Sequence, residues 1–392
     1  MRRKHLFICL LATLCTGAAL AQTAIDPAYQ RPDATSSPVA YVYVSRPTHV
    51  DGFAASSSGK LTPVPGSPFS NISVYHLSVT KKYLFGASDD HEHIITYSIA
   101  SNGAVKEVSS VDAQNYSHGG ESDCCFGPQK LDATGTTLYN QTDNSGDLWQ
   151  EAFKIESNGD LQFIGNGQSG DFAGTPTEPG EISVLGNNKF AYQTGCDDDV
   201  VTEQETGAYK RESNGLLVGL SLISMELPKA KSGEVYCPYS LATDASDHLA
   251  FTLQARNVNE GFSVGPLLLA SYTADSKGNL TTKSTMETMP SVAGNSGDTM
   301  SISPSGKLLA VSTAGGIQVF HFNGADPITK YTGVLHSSET FLEFGWDKDN
   351  HLYALSTTNL HVYEATSTEI KEVSGSPYSI PEASSVIVLT LQ

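Results

Sequence analysis

The chain of 392 residues carries 42 acidic against 23 basic side chains, a formal charge of −19, with 39% of its residues hydrophobic. This acidic excess argues against nucleic acid or an anionic membrane surface as a partner. Beyond the N-terminal leader, no apolar run approaches the roughly 18 residues that a membrane span needs.

Residues 1–21 read as a signal peptide: Arg2, Arg3 and Lys4 precede an apolar stretch, and Ala19, Leu20 and Ala21 form a small-residue cleavage site. Its removal takes away three cations and moves the charge to −22, and the mature chain is expected to be secreted or periplasmic. Residues 22–38, rich in Pro, Ser and Ala, read as a flexible leader. Residues 39–392 read as one domain.

Within that domain a short apolar run following a polar turn recurs at residues 40–45, 82–88, 136–142, 189–195, 248–254, 307–313 and 351–357. A second apolar segment follows most copies, at 94–99, 149–155, 267–272, 317–322 and 360–363, and then a Gly-containing turn and another short strand. Regular spacing of this kind marks a repeat architecture. Seven units of about four short strands, with no helical period, predict an all-β, seven-bladed β-propeller.

In the sixth unit the strands are expected at 299–303, 307–312, 317–322 and 328–332. The outer strands are announced by turns at Gly59, Gly103, Gly159, Gly215 and Gly278, where glycine can take the positive φ of a tight hairpin. The first unit lacks an inner strand, and residues 385–391 form an orphan strand at the C-terminus. Pairing the two closes the ring and removes two exposed sheet edges, so the C-terminal strand is predicted to be the inner strand of blade one.

Strand parity then sorts the loops. Connections between blades and between second and third strands emerge on one face, and these are the long, chemically dense ones: 89–93, 111–127, 143–147, 165–180, 196–199, 225–235 and 255–265. Function is expected on that face. The four cysteines remaining after cleavage, Cys124, Cys125, Cys196 and Cys237, fall there too, so a disulfide is expected from Cys196 to Cys124 or Cys125, or to Cys237.

Residues 59–69 and 370–378, each containing Gly-Ser-Pro followed by an aromatic, together with Ser-Pro-Ser-Gly-Lys-Leu-Leu-Ala-Val at 303–311, resemble the lactonase-type seven-bladed propellers. That family includes bacterial 6-phosphogluconolactonases and fungal carboxymuconate cyclases. The resemblance implies metal-independent opening or forming of a lactone, with histidine, arginine and acidic groups at the mouth of the central channel. Family members often carry Pro-His at the start of inner strands. Counting back from the second-strand motif gives Ser73, Gly127, Gly180, Tyr239, Asp298 and Leu342 at those positions, and the nearest match is Pro238-Tyr239, with Tyr in place of His.

Opening a lactone needs a base to activate water and a donor for the carbonyl oxygen. The groups available on the loop-rich face are His76, His91, His93, His118, Glu121, Asp123, Glu181, Arg256 and Glu343. Of these, His118, Glu121, Arg256, Glu181, Glu343 and His76 are the candidate catalytic residues. His118 and Glu121 offer a base and an acid within one loop, which a disulfide would equally well pin as plain structure. Arg256 is the one mature arginine expected in a long loop of that face, and Glu181 and Glu343 fall on predicted inner strands.

Residues 89–93 and 196–199 contain metal-binding side chains, but neither has a recognised ligand spacing. No phosphate loop, dinucleotide fingerprint or Gly-x-Ser-x-Gly elbow is present, so no cofactor or metal is expected. The expected function is hydrolysis of a sugar lactone or similar cyclic ester. The rival is a non-catalytic propeller that binds a glycan, a peptide or an envelope protein, displaying aromatics such as Tyr116, Phe126, Tyr236 and Phe262.

Overall fold

The structure, a computed structural model, describes residues 37–70, 72–90, 92–113, 129–144, 147–168, 182–194, 206–220, 224–259, 263–294, 299–313 and 315–391. Residues 1–36, and with them the expected signal peptide, as well as His91, His118, Glu121, Asp123, Glu181, Cys124, Cys125 and Cys196, lie outside the described residues. No helix among the described residues is long and apolar enough to cross a membrane.

The described residues form seven antiparallel sheets, each a run of strands consecutive in sequence, with one exception at the seam. In blade one the order runs from the C-terminal strand Ser385–Thr390 to Ala40–Arg46, His49–Ala55 and Leu61–Pro63. The predicted closure is therefore the observed one: Ala40 pairs with Thr390, Val42 with Val388 and Val44 with Val386. In blade six the strands are Met300–Ile302, Leu308–Thr313, Gly316–Asn323 and Asp326–Lys330, close to the sequence expectation.

Hydrophobic side chains occupy both faces of each blade, because alternate residues of a strand point to opposite sides and every blade is covered by two neighbours. The core is thus divided into layers between adjacent blades. Phe85, Leu138 and Phe153 fill the layer between blades two and three; Tyr139, Ala191 and Tyr209 fill the next. The seam between blades seven and one is packed like the others, by Val42, Val44, Leu355, Val362 and Val386.

Two polar devices recur and give the repeat its spacing. In the first, a tyrosine from the second strand of one blade donates to the carbonyl of the glycine-containing turn of the next. Tyr43 reaches Gly103 at 2.9 Å, Tyr83 reaches Ser157 at 2.6 Å, Tyr139 reaches Gly215 at 2.7 Å and Tyr192 reaches Gly278 at 2.9 Å. At Gly103, with φ +83°, an added Cβ would stand 2.7 Å from the Tyr41 ring, so turn and latch require the same residue.

In the second device, an aspartate before the second strand caps the hairpin by accepting backbone N–H groups: Asp132 from Thr136 at 2.8 Å, Asp244 from His248 at 3.2 Å and Asp347 from His351 at 2.9 Å. In blade seven the cap is fully buried and binds His351 Nδ1 at 2.8 Å and the Tyr353 hydroxyl at 2.9 Å. Burial alone would raise the Asp347 pKa, but these hydrogen bonds outweigh it and hold the carboxyl below its usual range.

The seam carries a direct test. Deleting residues 385–392 removes the inner strand of blade one, whereas deleting 22–36 removes leader ahead of the first strand. Thermal unfolding is expected to show the first deletion lowering Tm by about 10 °C or more, or abolishing the cooperative transition, and the second shifting it by no more than about 2 °C. Equal shifts would contradict closure through the C-terminal strand.

Candidate functional site

The inner strands begin on the face that carries the blade-to-blade connections, and there the ladder is interrupted in a regular way. In blade seven Phe341 pairs with Ser356 and Glu343 with Leu355, leaving Leu342 as an extra residue. In blade five Pro238 pairs with Leu253 and Ser240 with Thr252, leaving Tyr239. In blade two Tyr75 pairs with Ala87 and Ser78 with Phe85, so the extra residue lies at His76-Leu77. Each is a β-bulge at the channel mouth, a device that re-aims a side chain.

The three bulges do not share one register, because Phe85, opposite Ser78, packs toward blade three, whereas Phe251 and Ala354, opposite Leu241 and Phe344, pack toward blades four and six. The Ser73 reached by counting back lies before the inner strand Val74–Val79, and the histidine of blade two is His76, in the bulge itself. Its backbone is left-handed, φ 50°, a conformation that is costly for a non-glycine residue and persists where the surroundings enforce it. Opposite the bulge stands Gly86, where an added Cβ would come within 2.7 Å of Val74.

His76 and Glu343 flank the closing strand on its two sides. Glu343 accepts the backbone N–H of Val386 at 2.6 Å. On the other side the N–H of Leu77 donates to Ser385 Oγ at 3.1 Å. Adjacent residues of one strand thus hold the neighbourhoods of both candidates, and each candidate side chain is half-buried.

Arg256 is placed differently from the sequence expectation. It lies not in a loop but within the second strand of blade five, His248–Asn257, because that strand and its partner Ser263–Ala274 extend past the point where turn residues suggested an end. It is 5% exposed, and its Nε donates to the Tyr239 hydroxyl at 3.1 Å. The guanidinium also lies 5.7 Å from the centroid of the Tyr239 ring, and the hydroxyl meets Ser263 Oγ at 2.8 Å. The described candidates therefore fall into two groups, His76 with Glu343 beside blade one, and Arg256 with Tyr239 in blade five. His93 stands apart, 3.6 Å from Asp90. Tyr236, which the rival binding reading would expose, is buried at 5% exposure on the inner strand of blade five.

Sequence reading missed a polar row inside blade three. Gln129, Asn140, Glu151 and Asn166 lie side by side across the sheet, since Asn140 pairs with Glu151 and Glu151 with Asn166, and Gln129 precedes Lys130, the partner of Tyr139. Glu151 is fully buried, accepts from Asn140 Nδ2 at 2.9 Å, and has no partner for its second oxygen. Burial raises its pKa to about 7, against a smaller opposing effect of the Asn140 hydrogen bond. The segment 149–155 reads as apolar overall, and the only signal was a carboxylate at a position of inward parity. A cavity of about 650 Å³ opens on the opposite face, lined by Thr80, Lys81, Asp132, Thr134 and Thr390, and gathers none of the candidates.

No protein-family model and no curated protein sequence matches the chain. Solved structures do. A periplasmic gluconolactonase from Pseudomonas aeruginosa superposes with a TM-score of 0.62 at 12% identity, covering 90% of this chain and 99% of that one. The chain shares the seven-bladed fold of the lactonase-type propellers. A protein from Lactobacillus plantarum gives 0.63 at 15% identity over 91% of this chain and 100% of that one. A candidate 6-phosphogluconolactonase from Bacteroides fragilis gives 0.56 at 13% identity, with 92% and 100% covered.

The polar row yields a pH prediction. A carboxyl whose folded pKa lies above its unfolded value leaves the folded state holding more protons between the two, so stability falls as pH rises from about 4.5 through about 7. Glu151→Gln removes that loss. Chemical denaturation at pH 8 is expected to find the variant more stable than the wild type by about 1–3 kcal/mol, with the difference vanishing near pH 4.5. A variant less stable at both pH values would show that the Glu151 carboxylate is satisfied in the fold.

Proposed function

We propose that the chain is an exported hydrolase that opens a sugar lactone or similar cyclic ester at the channel mouth of its loop-rich face. The observation that carries this reading is the placement of His76 and Glu343 on either side of the closing strand, with His76 in the bulge of its inner strand. The likeness to a periplasmic gluconolactonase supports the substrate class and the compartment. Export is further supported by the signal-like residues 1–21, and a disulfide joining Cys196 to Cys124, Cys125 or Cys237 belongs to the same proposal.

In this reading a water molecule adds across the acyl carbon–oxygen bond of the ring. His76 takes a proton from the water as its oxygen attacks the carbonyl carbon, the ring oxygen departs, and the proton returns to it as a hydroxyl. Glu343, held by the Val386 N–H, orients the water or the imidazole. His118 and Glu121, from a loop of the same face, and Glu181, from a predicted inner strand, are proposed to complete the rim. Arg256, tied to Tyr239, supplies positive charge across the ring in blade five. An overall charge of −19 and few arginines favour a neutral lactone over a phosphorylated one. The buried Tyr236 gives the glycan-binding alternative no support, and no described feature favours an envelope-protein partner.

The test is hydrolysis of an aldonolactone panel, phosphorylated and not, by the purified chain. Neutral lactones are expected to be turned over, with His76→Ala lowering kcat/KM by about 10²–10⁴-fold and Glu343→Gln by about tenfold or more, while both variants keep their fold. Turnover unchanged in both variants would remove this pair from any mechanism, and absence of turnover across the panel would reject the lactonase reading.

A further inference from the structure

On the same face, where the connection from blade six enters blade seven, four side chains converge that the lactonase reading does not use. His336 and Glu339 come from the connection, His361 from the third strand Asn359–Ala365 and Glu372 from the fourth, Ile370–Glu372. His361 is 1% exposed and both its ring nitrogens face carboxylates: Nδ1 is 2.8 Å from Glu372 Oε1, and Nε2 is 3.1 Å from each oxygen of Glu339. His336 Nε2 is 3.2 Å from Glu372 Oε2, and the two imidazole rings lie 4.2 Å apart.

A neutral imidazole has one N–H and one lone pair. With a carboxylate at each nitrogen, His361 can satisfy only one of them as a neutral ring. A second proton on each of two imidazoles in contact would set like charges side by side. A divalent cation resolves the conflict: it takes the lone pairs of both histidines and the charge of Glu372, and leaves the remaining N–H of His361 to donate to Glu339. That is the arrangement in which an outer carboxylate fixes the tautomer and orientation of a metal-bound histidine. Glu339 is itself anchored by Ser356 Oγ at 2.6 Å and Asn359 Nδ2 at 3.4 Å, and Glu372 by Ser376 Oγ at 2.7 Å.

We propose that His336, His361 and Glu372 bind a divalent transition-metal ion of the zinc class, with Glu339 as the supporting carboxylate behind His361. One ligand atom from each of the three lies within 4.8 Å of the others. Two imidazoles and one carboxylate suit zinc rather than calcium or magnesium. His336 and Glu372 are half-buried, so water can complete the coordination. The other such group among the described residues, Asp90, Glu92 and His93, has one imidazole and is largely exposed.

The ion has a structural consequence. The Phe341 ring meets His361 edge-on at 5.5 Å, and Phe341 begins the inner strand that carries Glu343. Metal binding therefore pins the entry of that strand. The proposal stands on this cluster alone and is read out independently of lactone turnover.

The test uses the untagged full-length mature chain, stripped by chelator and titrated calorimetrically with zinc, and with cobalt for its visible absorption. The wild type is expected to bind one equivalent with the spectrum of a four- or five-coordinate nitrogen–oxygen site and to gain thermal stability. His336→Ala, a half-exposed position chosen to preserve folding, is expected to weaken binding at least 100-fold, and Glu339→Gln by about 10- to 100-fold. His93→Ala should leave binding unchanged. A stripped wild type that binds neither metal overturns the proposal and leaves the four side chains held by protons alone. So does a folded His336→Ala chain that binds as tightly as the wild type, or binding lost in His93→Ala instead.

Discussion

The pairing of the C-terminal strand with the first strand of the domain is the constraint on which the molecule depends. A ring of sheets has no natural end, and a linear chain must close it by bringing distant segments together. Here residues 385–390 pair with residues 40–45, at the entropic cost of joining the two ends of the domain. The gain is that both edges are paired and the seam is filled by buried apolar side chains like the other layers. The same strand then serves the face above it. Ser385 and Val386 hold the backbone beside His76 on one side and the carboxylate of Glu343 on the other, so closing the ring and assembling this part of the channel mouth are one event.

Around the rest of the ring the work is divided among nearest neighbours. Tyrosine latches join blades one to two, two to three, three to four and four to five, each between a buried hydroxyl and a turn carbonyl. Such bonds contribute about 1 kcal/mol each, but they fix the angle between blades as hydrophobic packing alone does not. At the position that faces the next blade, blades five and six carry Ala250 and Ala310, and blade seven carries Tyr353, whose hydroxyl donates to Asp347. The device is therefore concentrated in the first half of the ring, while blade seven relies on hydrogen bonds between histidines and carboxylates, from Asp347–His351 to the His361 cluster.

The fold was legible in the sequence because its determinants are local and repeated. The apolar motif, the Asn-Gly or Lys-Gly turn and the unpaired strand at each end all follow from short-range chemistry that a sevenfold repeat displays many times over. The site was legible only in part. His76 and Glu343 could be named as candidates, but their relation to one strand depends on pairing across more than 300 residues. Ser73 was reached by a fixed interval, whereas the bulge of blade two lies at His76-Leu77, which only strand pairing reveals. Arg256 was read as a loop residue because turn-forming neighbours hid the continuation of a strand. Glu151 and the His336–His361 cluster carry no spacing signal, since their members meet through sheet geometry rather than through sequence proximity.

The central claim, that one strand both closes the ring and sets Glu343, can be tested by complementation. A chain ending at residue 384 is supplied with a synthetic peptide of residues 385–392, or with the same peptide N-methylated at Val386, and thermal stability and lactone turnover are measured together. The N–H of Val386 points to Glu343. The unmodified peptide is therefore predicted to restore both properties, and the methylated one to restore stability while leaving turnover low. Equal restoration of both by the two peptides would contradict the account.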